Sequence, residues 1–250
     1  MITIVILHWN RHPQLINTLH SFTHSASRNF NVVIVDNKSD TEFKVPPLPY
    51  EVRLIRLTNQ PYSKSFISAH NYGFYYALKE MNPDKIIIQH SECCHAGDVI
   101  SYAEGVTDKT YISFGCYSIG KGDTPETTPI NNRAMTFDGD SAWYNHPIHR
   151  PRNTHFCSAI TAANLRKLNG FDERFCEGAW FDDDYFLLQV QRLGLKIDLT
   201  SDPFVFHQNH EIIWGDSAPI FKNRDIYNII KHETGYKAQH FLTPDFDENN

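Results

Sequence analysis

The sequence predicts an α/β protein: a Rossmann-like, mostly parallel twisted sheet flanked by helices, in a single domain. Three features lead there. Short β-branched runs alternate with helical patterns through the first hundred residues. The first two runs end in polar loops, His8-Trp9-Asn10 and Asp36-Asn37-Lys38-Ser39-Asp40, and a parallel sheet gathers its ligands at strand carboxyl ends. No repeat or linker interrupts the 250 residues, and an apolar content of 41% is enough for one sizeable core.

The elements follow in order. Ile2 to Leu7 is a strand, and Pro13 opens a helical pattern carrying Leu15, Ile16, Leu19 and Phe22. Asn31 to Val35 is the second strand, so that strand, helix and strand form a right-handed βαβ unit. Val52 to Leu57 is a third strand, 65–80 a helix carrying Ile67, Tyr72, Tyr75, Tyr76 and Leu78, and Lys85 to Ile88 a fourth strand running into QHSECCHAGDVI. Residues 120–155 are rich in Gly, Pro, Asn and His, and so long an irregular stretch is expected to be a functional or mobile loop. Phe156 to Leu168 returns to helical character, 183–193 is a further helix, and 197–199 and 204–206 are short strands. His207-Gln208-Asn209-His210 follows. A helix over 219–233 and a loose acidic tail over about the last ten residues close the chain.

Composition excludes several classes. A formal charge of −6 with no Lys/Arg block argues against a nucleic-acid footprint or a polybasic membrane patch. The start MITIVILHWN lacks the basic region and cleavage site of a signal peptide, and no window reaches the ~18 apolar residues of a membrane span, so a cytoplasmic protein is expected. Five cysteines without a CxxC pair signal neither a disulfide framework nor a Cys-rich zinc site. Histidine is abundant, at 14 residues, which by itself says nothing of metal; only those in a matching context acquire a role.

The most unusual stretch is EGAWFDDDYFLLQV, residues 177–190. Phe186, Leu187, Val190 and Leu193 repeat at helical spacing and Gly194 follows as a stop signal. Asp182 would then be the N-cap, with Asp183 and Asp184 in the first turn, where exposed N–H groups favour negative charge. Capping accounts for one or two of the acids. It accounts less well for three, or for the flanking Trp180 and Phe181.

Taken in order, these motifs resemble those of the inverting family 2 glycosyltransferases of GT-A fold. The matching pieces are the opening strand with its -WNR- turn, VIVDNKSD, a fourth strand running into His90-Ser91-Glu92 where the family writes D-x-D, GFDERF, and the acidic helix DDDYFLLQVQRLG. The resemblance covers roughly residues 1–210, and it is closest to a subgroup with an altered D-x-D element and a C-terminal HQNH. It implies a GT-A domain over 1–215, with a nucleotide-binding half (1–100) and an acceptor half (101–215), followed by a C-terminal helix and tail (216–250).

The resemblance also implies a chemistry: a sugar moves from a nucleotide-sugar donor, UDP-linked by expectation, to an acceptor hydroxyl of a glycan or glycoconjugate, with inversion. Asp183 falls at the position of the general base and Asp182 beside it. Glu92 keeps the second acid of D-x-D and, with His207, would hold a divalent metal, Mn²⁺ or Mg²⁺, the imidazole favouring Mn²⁺. Asn10, Arg11, Asp36, Ser39 and Asn71 fall on the nucleotide side. Trp143, Tyr144, Asn145, His146 and Trp180 form an amphipathic set suited to a sugar or acceptor. Plainer readings stay open: Asp36 as a turn cap, Glu92 as a solvated turn residue, Asn71 as an ordinary polar residue at a helix start, His207 as a packed histidine, Trp143-Tyr144 as a satellite core. His90, His95 and His210 are expected to be ordinary histidines. Loss of the first D-x-D acid leaves a second function class open, a catalytically silent module of the same fold that binds nucleotide or glycan. A nucleotidyltransferase would want a Gly-rich, basic signature near the first strand, and HWNRHPQL has none.

Overall fold

The computed structural model describes residues 1–135, 141–211 and 217–246. The first half builds β1 (Ile2–His8), α1 (His12–Ser21), β2 (Phe30–Asn37), β3 (Val52–Leu57), α2 (Phe66–Tyr76) and β4 (Lys85–His90). β1 pairs in parallel with β2 and β4, and β2 with β3. β2 is buried along its whole length, as expected of a parallel strand covered on both faces by helices. Successive residues of β1 point to opposite layers. Ile4 and Ile6 join Leu15 and Leu19 of α1, whereas Val5 joins Phe74 of α2. α2 lies so close to the sheet that a Cβ on Gly73 would stand 2.7 Å from Val35 and 2.9 Å from Val5, so no larger residue fits there without displacing the helix.

The second half adds β5 (Cys93–Ala96), α3 (Val99–Ala103), β6 (Thr110–Ser118), β7 (Trp143–Asn145), β8 (Cys157–Thr161), α4 (Ala162–Leu168), α5 (Asp182–Arg192), β9 (Lys196–His207) and α6 (Ala218–Ile230). All strands join one sheet in the order β3-β2-β1-β4-β8-β6-β9-β5, with β7 on β6. β8 is antiparallel to both β4 and β6, β6 and β9 are parallel, and β5 is antiparallel to β9. Among the described residues no helix is long and apolar enough to cross a membrane.

Several expectations are corrected. Residues 156–168 are not one helix: Cys157–Thr161 is a buried strand, and the helix begins only after Thr161, whose side chain accepts a hydrogen bond from the Asn164 N–H. The two short strands at 197–199 and 204–206 are one strand, β9, whose register against β6 jumps from Thr200 to Phe204. β5, α3 and β6 have no counterpart among the expected elements, and neither has β7, which lies inside the 120–155 stretch expected to be irregular. The tail is not loose as far as Phe246. The Ala238 N–H donates to the Leu168 carbonyl, the Phe246 N–H to Asn169 Oδ1 at 2.8 Å, and Phe246 itself is buried; residues 247–250 lie outside the described residues.

Candidate active site

The register of β5 against β9 sets Cys93 opposite His207, and the Gln208 N–H donates to the Glu92 carbonyl at 2.9 Å. That pairing brings the HSE turn and the HQNH segment together. Glu92 is buried, with its side chain 5% exposed. Ser91 Oγ donates to Oε2 at 2.9 Å, and four basic side chains converge on Oε1. Arg11 Nη1 donates to it at 2.5 Å, while His207 Nε2, His90 Nδ1 and His210 Nε2 stand at 3.6, 3.7 and 3.8 Å. Burial alone would raise the Glu92 carboxyl, but His207 and His90 outweigh it and hold the group well below the usual carboxylate range. The His207 ring is fixed by edge-on contacts with Tyr144 and Phe156, at centroid distances of 5.3 and 5.4 Å.

One carboxylate oxygen and two imidazole nitrogens, from Glu92, His207 and His210, lie within 4.8 Å of one another. A carboxylate with two imidazoles is a fitting donor set for a divalent transition-metal ion. His210 was expected to be an ordinary histidine and is part of this cluster. The available signal was its spacing, three residues beyond His207 in an extended segment.

The loops after β1 and β2 are stitched together. Asn10 has a left-handed φ of 56°; its N–H donates to Ser39 Oγ, its Nδ2 to Asp40, and its Oδ1 accepts from the Asp40 N–H. Asp36 Oδ1 accepts from the Ser39 N–H at 3.0 Å, the turn-cap role, while Oδ2 is 3.8 Å from Arg56 Nε and has no hydrogen-bond partner among the described residues. Asn10, Arg11, Asp36 and Ser39 therefore gather at one end of the sheet. Asn71 does not join them. It is fully buried, its Oδ1 accepting from the Phe171 N–H and its Nδ2 donating to the Phe171 carbonyl, so its amide clamps GFDERF to α2.

The aspartate triplet opens α5, one residue earlier than the sequence suggests. Asp182 is the first helical residue rather than the cap. Phe181 occupies the cap position with φ 65° and no side-chain cap bond, directly after Trp180 at φ 66°. Two consecutive bulky residues in the left-handed region are strained, and such strain persists only where surroundings over-determine it. Here α6 does so. Asn223 Nδ2 donates to the Phe175 and Trp180 carbonyls, and a Cβ on Gly178 would stand 2.0 Å from Asn223 Oδ1. Nothing in the sequence of Asn223 signals this role. Asp182, Asp183 and Asp184 keep part of their surface open, yet are packed closely enough for burial to dominate. Burial, reinforced by Asp182 and Asp184, pushes Asp183 up to about 8. Burial pushes Asp182 up to about 6 against the pull of His90. His90 thus stands beside Glu92 and also acts electrostatically on Asp182.

In the Trp143–His146 stretch, strand alternation separates the residues. Tyr144 faces His207. Trp143 is buried in a satellite core with Tyr117 and Phe206, its Nε1 donating to the Asn131 carbonyl. Asn145 is fully buried and bonded to Thr154, and His146 Nδ1 accepts from the Ile148 and His149 N–H groups. Trp143, Asn145 and His146 are thus committed to packing rather than open to a ligand. Trp180 is 50% exposed.

Neither a protein-family model nor a curated protein sequence matches the chain. Solved structures do. Staphylococcus aureus TarS in complex with UDP-GlcNAc matches with a TM-score of 0.58 at 12% identity, over 91% of this chain and 65% of that one. A structure of a longer TarS chain is spanned to only 39%. The chain has the GT-A fold. The mannosyltransferase PcManGT from Pyrobaculum calidifontis, in complex with GDP-Man and Mn²⁺, matches at TM-score 0.54 and 13% identity, over 98% of this chain and 66% of that one. A Drosophila β1,4-galactosyltransferase 7 variant, in complex with manganese, UDP-Gal and xylobiose, matches at 0.55 and 11%, over 98% and 83%. Within this GT-A fold the Glu92 cluster lies where β4, β5 and β9 meet, beside the Asn10 and Ser39 loops.

Proposed function

We propose that the protein is an inverting glycosyltransferase that moves a sugar from a nucleotide-sugar donor, UDP-linked, to an acceptor hydroxyl of a glycan or glycoconjugate. The observation that supports it most is the setting of Glu92, a buried carboxylate with four basic side chains around one oxygen, suited to an anionic leaving group, one of which, His90, also pulls on the Asp182 carboxyl at the start of α5. Separated charges of this kind suit a displacement in which one end stabilises a departing diphosphate and the other accepts a proton. The GT-A fold, shared with glycosyltransferases solved with UDP- and GDP-sugars, agrees with it.

In this reading the acceptor oxygen attacks the anomeric carbon, the bond from that carbon to the diphosphate oxygen breaks with its electron pair leaving on the diphosphate, and Asp183 takes the hydroxyl proton. Asp182 orients the acceptor. Trp180 and Tyr144 offer aromatic faces to the sugars, and Asn10, Ser39 and Asp36 hold the nucleotide. Glu92, His207 and His210 would hold a divalent ion, which neutralises charge on the leaving diphosphate when bound. A panel of nucleotide sugars with Mn²⁺ tests this by nucleotide release. Release from one donor, lost on chelation, supports the enzyme; tight nucleotide binding with no release from any donor leaves a silent module.

A further inference from the structure

We propose that Arg11 is a resident counter-cation for Glu92, one that competes with a divalent ion for the carboxylate and, once displaced, turns to the diphosphate of the donor. This rests on the reading that Glu92, His207 and His210 hold an ion. The starting point is an asymmetry around Glu92 Oε1. Three imidazole nitrogens stand off at 3.6–3.8 Å, and Arg11 alone makes a direct bond, at 2.5 Å. The carboxylate, at 5% exposure, has little water to offset its charge, and a buried carboxylate demands a cationic partner. The cation in direct contact with it is Arg11.

The imidazoles and the guanidinium differ in freedom. His207 ends a strand and is wedged against Tyr144 and Phe156. The Arg11 side chain is 34% exposed, so it approaches the carboxylate from the open side and can leave the same way. Its backbone stays put: Asn10 is tied to Ser39 and Asp40, and the Leu15 N–H donates to the Arg11 carbonyl at 2.9 Å. Exchange therefore needs only side-chain rotation. A guanidinium and a divalent ion on one recessed oxygen repel each other strongly, so the two occupy it in turn. The freed guanidinium, a planar fork suited to bidentate phosphate contact, then lies beside the site proposed for the leaving group. Ion and nucleotide binding become coupled, and the coupling is reciprocal.

The test is Mn²⁺ affinity, read from the electron paramagnetic resonance signal of free Mn²⁺, for the full chain and its Arg11→Met, Arg11→Lys and Glu92→Gln variants, each with and without UDP. Arg11→Met is expected to bind Mn²⁺ at least about tenfold tighter than wild type without UDP, and to lose most of the tightening that UDP confers. Arg11→Lys keeps the competing charge and stays close to wild type. Mn²⁺ binding by Arg11→Met alone would support the rivalry in its strongest form. Equal or weaker affinity in Arg11→Met, with Glu92→Gln weaker still, overturns the rivalry while the ion site stands. If no form binds Mn²⁺, the ion reading and the proposal fall together. Circular dichroism melts of each variant separate lost binding from lost fold.

Discussion

At Asp183 two influences oppose each other: the amides of a helix N-terminus favour charge, whereas burial and two neighbouring carboxylates disfavour it. The second wins, raising the carboxyl to about 8. An acid raised in this way binds more protons folded than unfolded between about pH 4 and about pH 8, so its contribution makes stability fall as pH rises through that window. Asp183→Asn is therefore expected to lose transfer by about 10³-fold. It should also gain about 1–2 kcal/mol of stability at about pH 8, after discounting for partial solvent access, with little change at about pH 4. Denaturant unfolding at the two pH values checks the sign, and a variant less stable at the higher pH would show that Asp183 is ionised and satisfied. For the wild type, the same ionisation predicts transfer rates that climb across the neutral range and level off above about pH 8, measurable as a pH–rate profile.

At the scale of elements, the turn before α5 depends on α6. Asn223→Ala removes two hydrogen bonds to the Phe175 and Trp180 carbonyls and should cost about 2–3 kcal/mol in a denaturant melt, with transfer falling further than stability explains. Trp180→Gly acts in the opposite sense on the backbone. It relieves a left-handed residue, so stability should hold or rise by up to about 1 kcal/mol, while KM for the acceptor rises if the ring stacks on sugar. An unchanged KM would remove Trp180 from the acceptor site. These elements differ in how much of them the sequence carries. The helix of α5 is plain from its apolar spacing, but not the left-handed Phe181 that starts it, because that conformation is imposed by Asn223, some forty residues away in the chain. Likewise Trp143 and Tyr144 are adjacent in sequence and look alike, and only the pleat of β7 sends one into a core and the other to His207.

Across the whole molecule, local pattern recovers the strands that pair with sequence neighbours and misses the pairings that cross the chain. β1 to β4 follow from apolar runs between polar loops. β8 reads as helix from the sequence because Cys157, Ser158 and Ala159 carry little strand signal, and its identity comes from lying between β4 and β6. The same holds for the site. Glu92 and His207 stand out by motif, whereas the contact of Arg11 with Glu92 joins residues 81 apart and has no sequence signature. The C-terminal segment is likewise held by contacts between residues far apart in the chain. Glu173 accepts bonds from the N–H groups of Phe241, Leu242 and Thr243, and Asn169 binds Ala238 and Asp245. Ending the chain after Gly235 should therefore lower the melting temperature by about 10 °C or more, as loss of about 3–5 kcal/mol does at this size; an unchanged melt would mean that the segment only covers a surface.

The central claim is that the Glu92 cluster and the α5 carboxylates act as one transfer site, and the rate of nucleotide release from a nucleotide-sugar donor, measured with Mn²⁺ for wild type and Asp183→Asn side by side, tests it most directly. The account predicts turnover by wild type and its loss in Asp183→Asn, with nucleotide still bound. Equal turnover by the two proteins, or none by a wild type that binds nucleotide tightly, would contradict it.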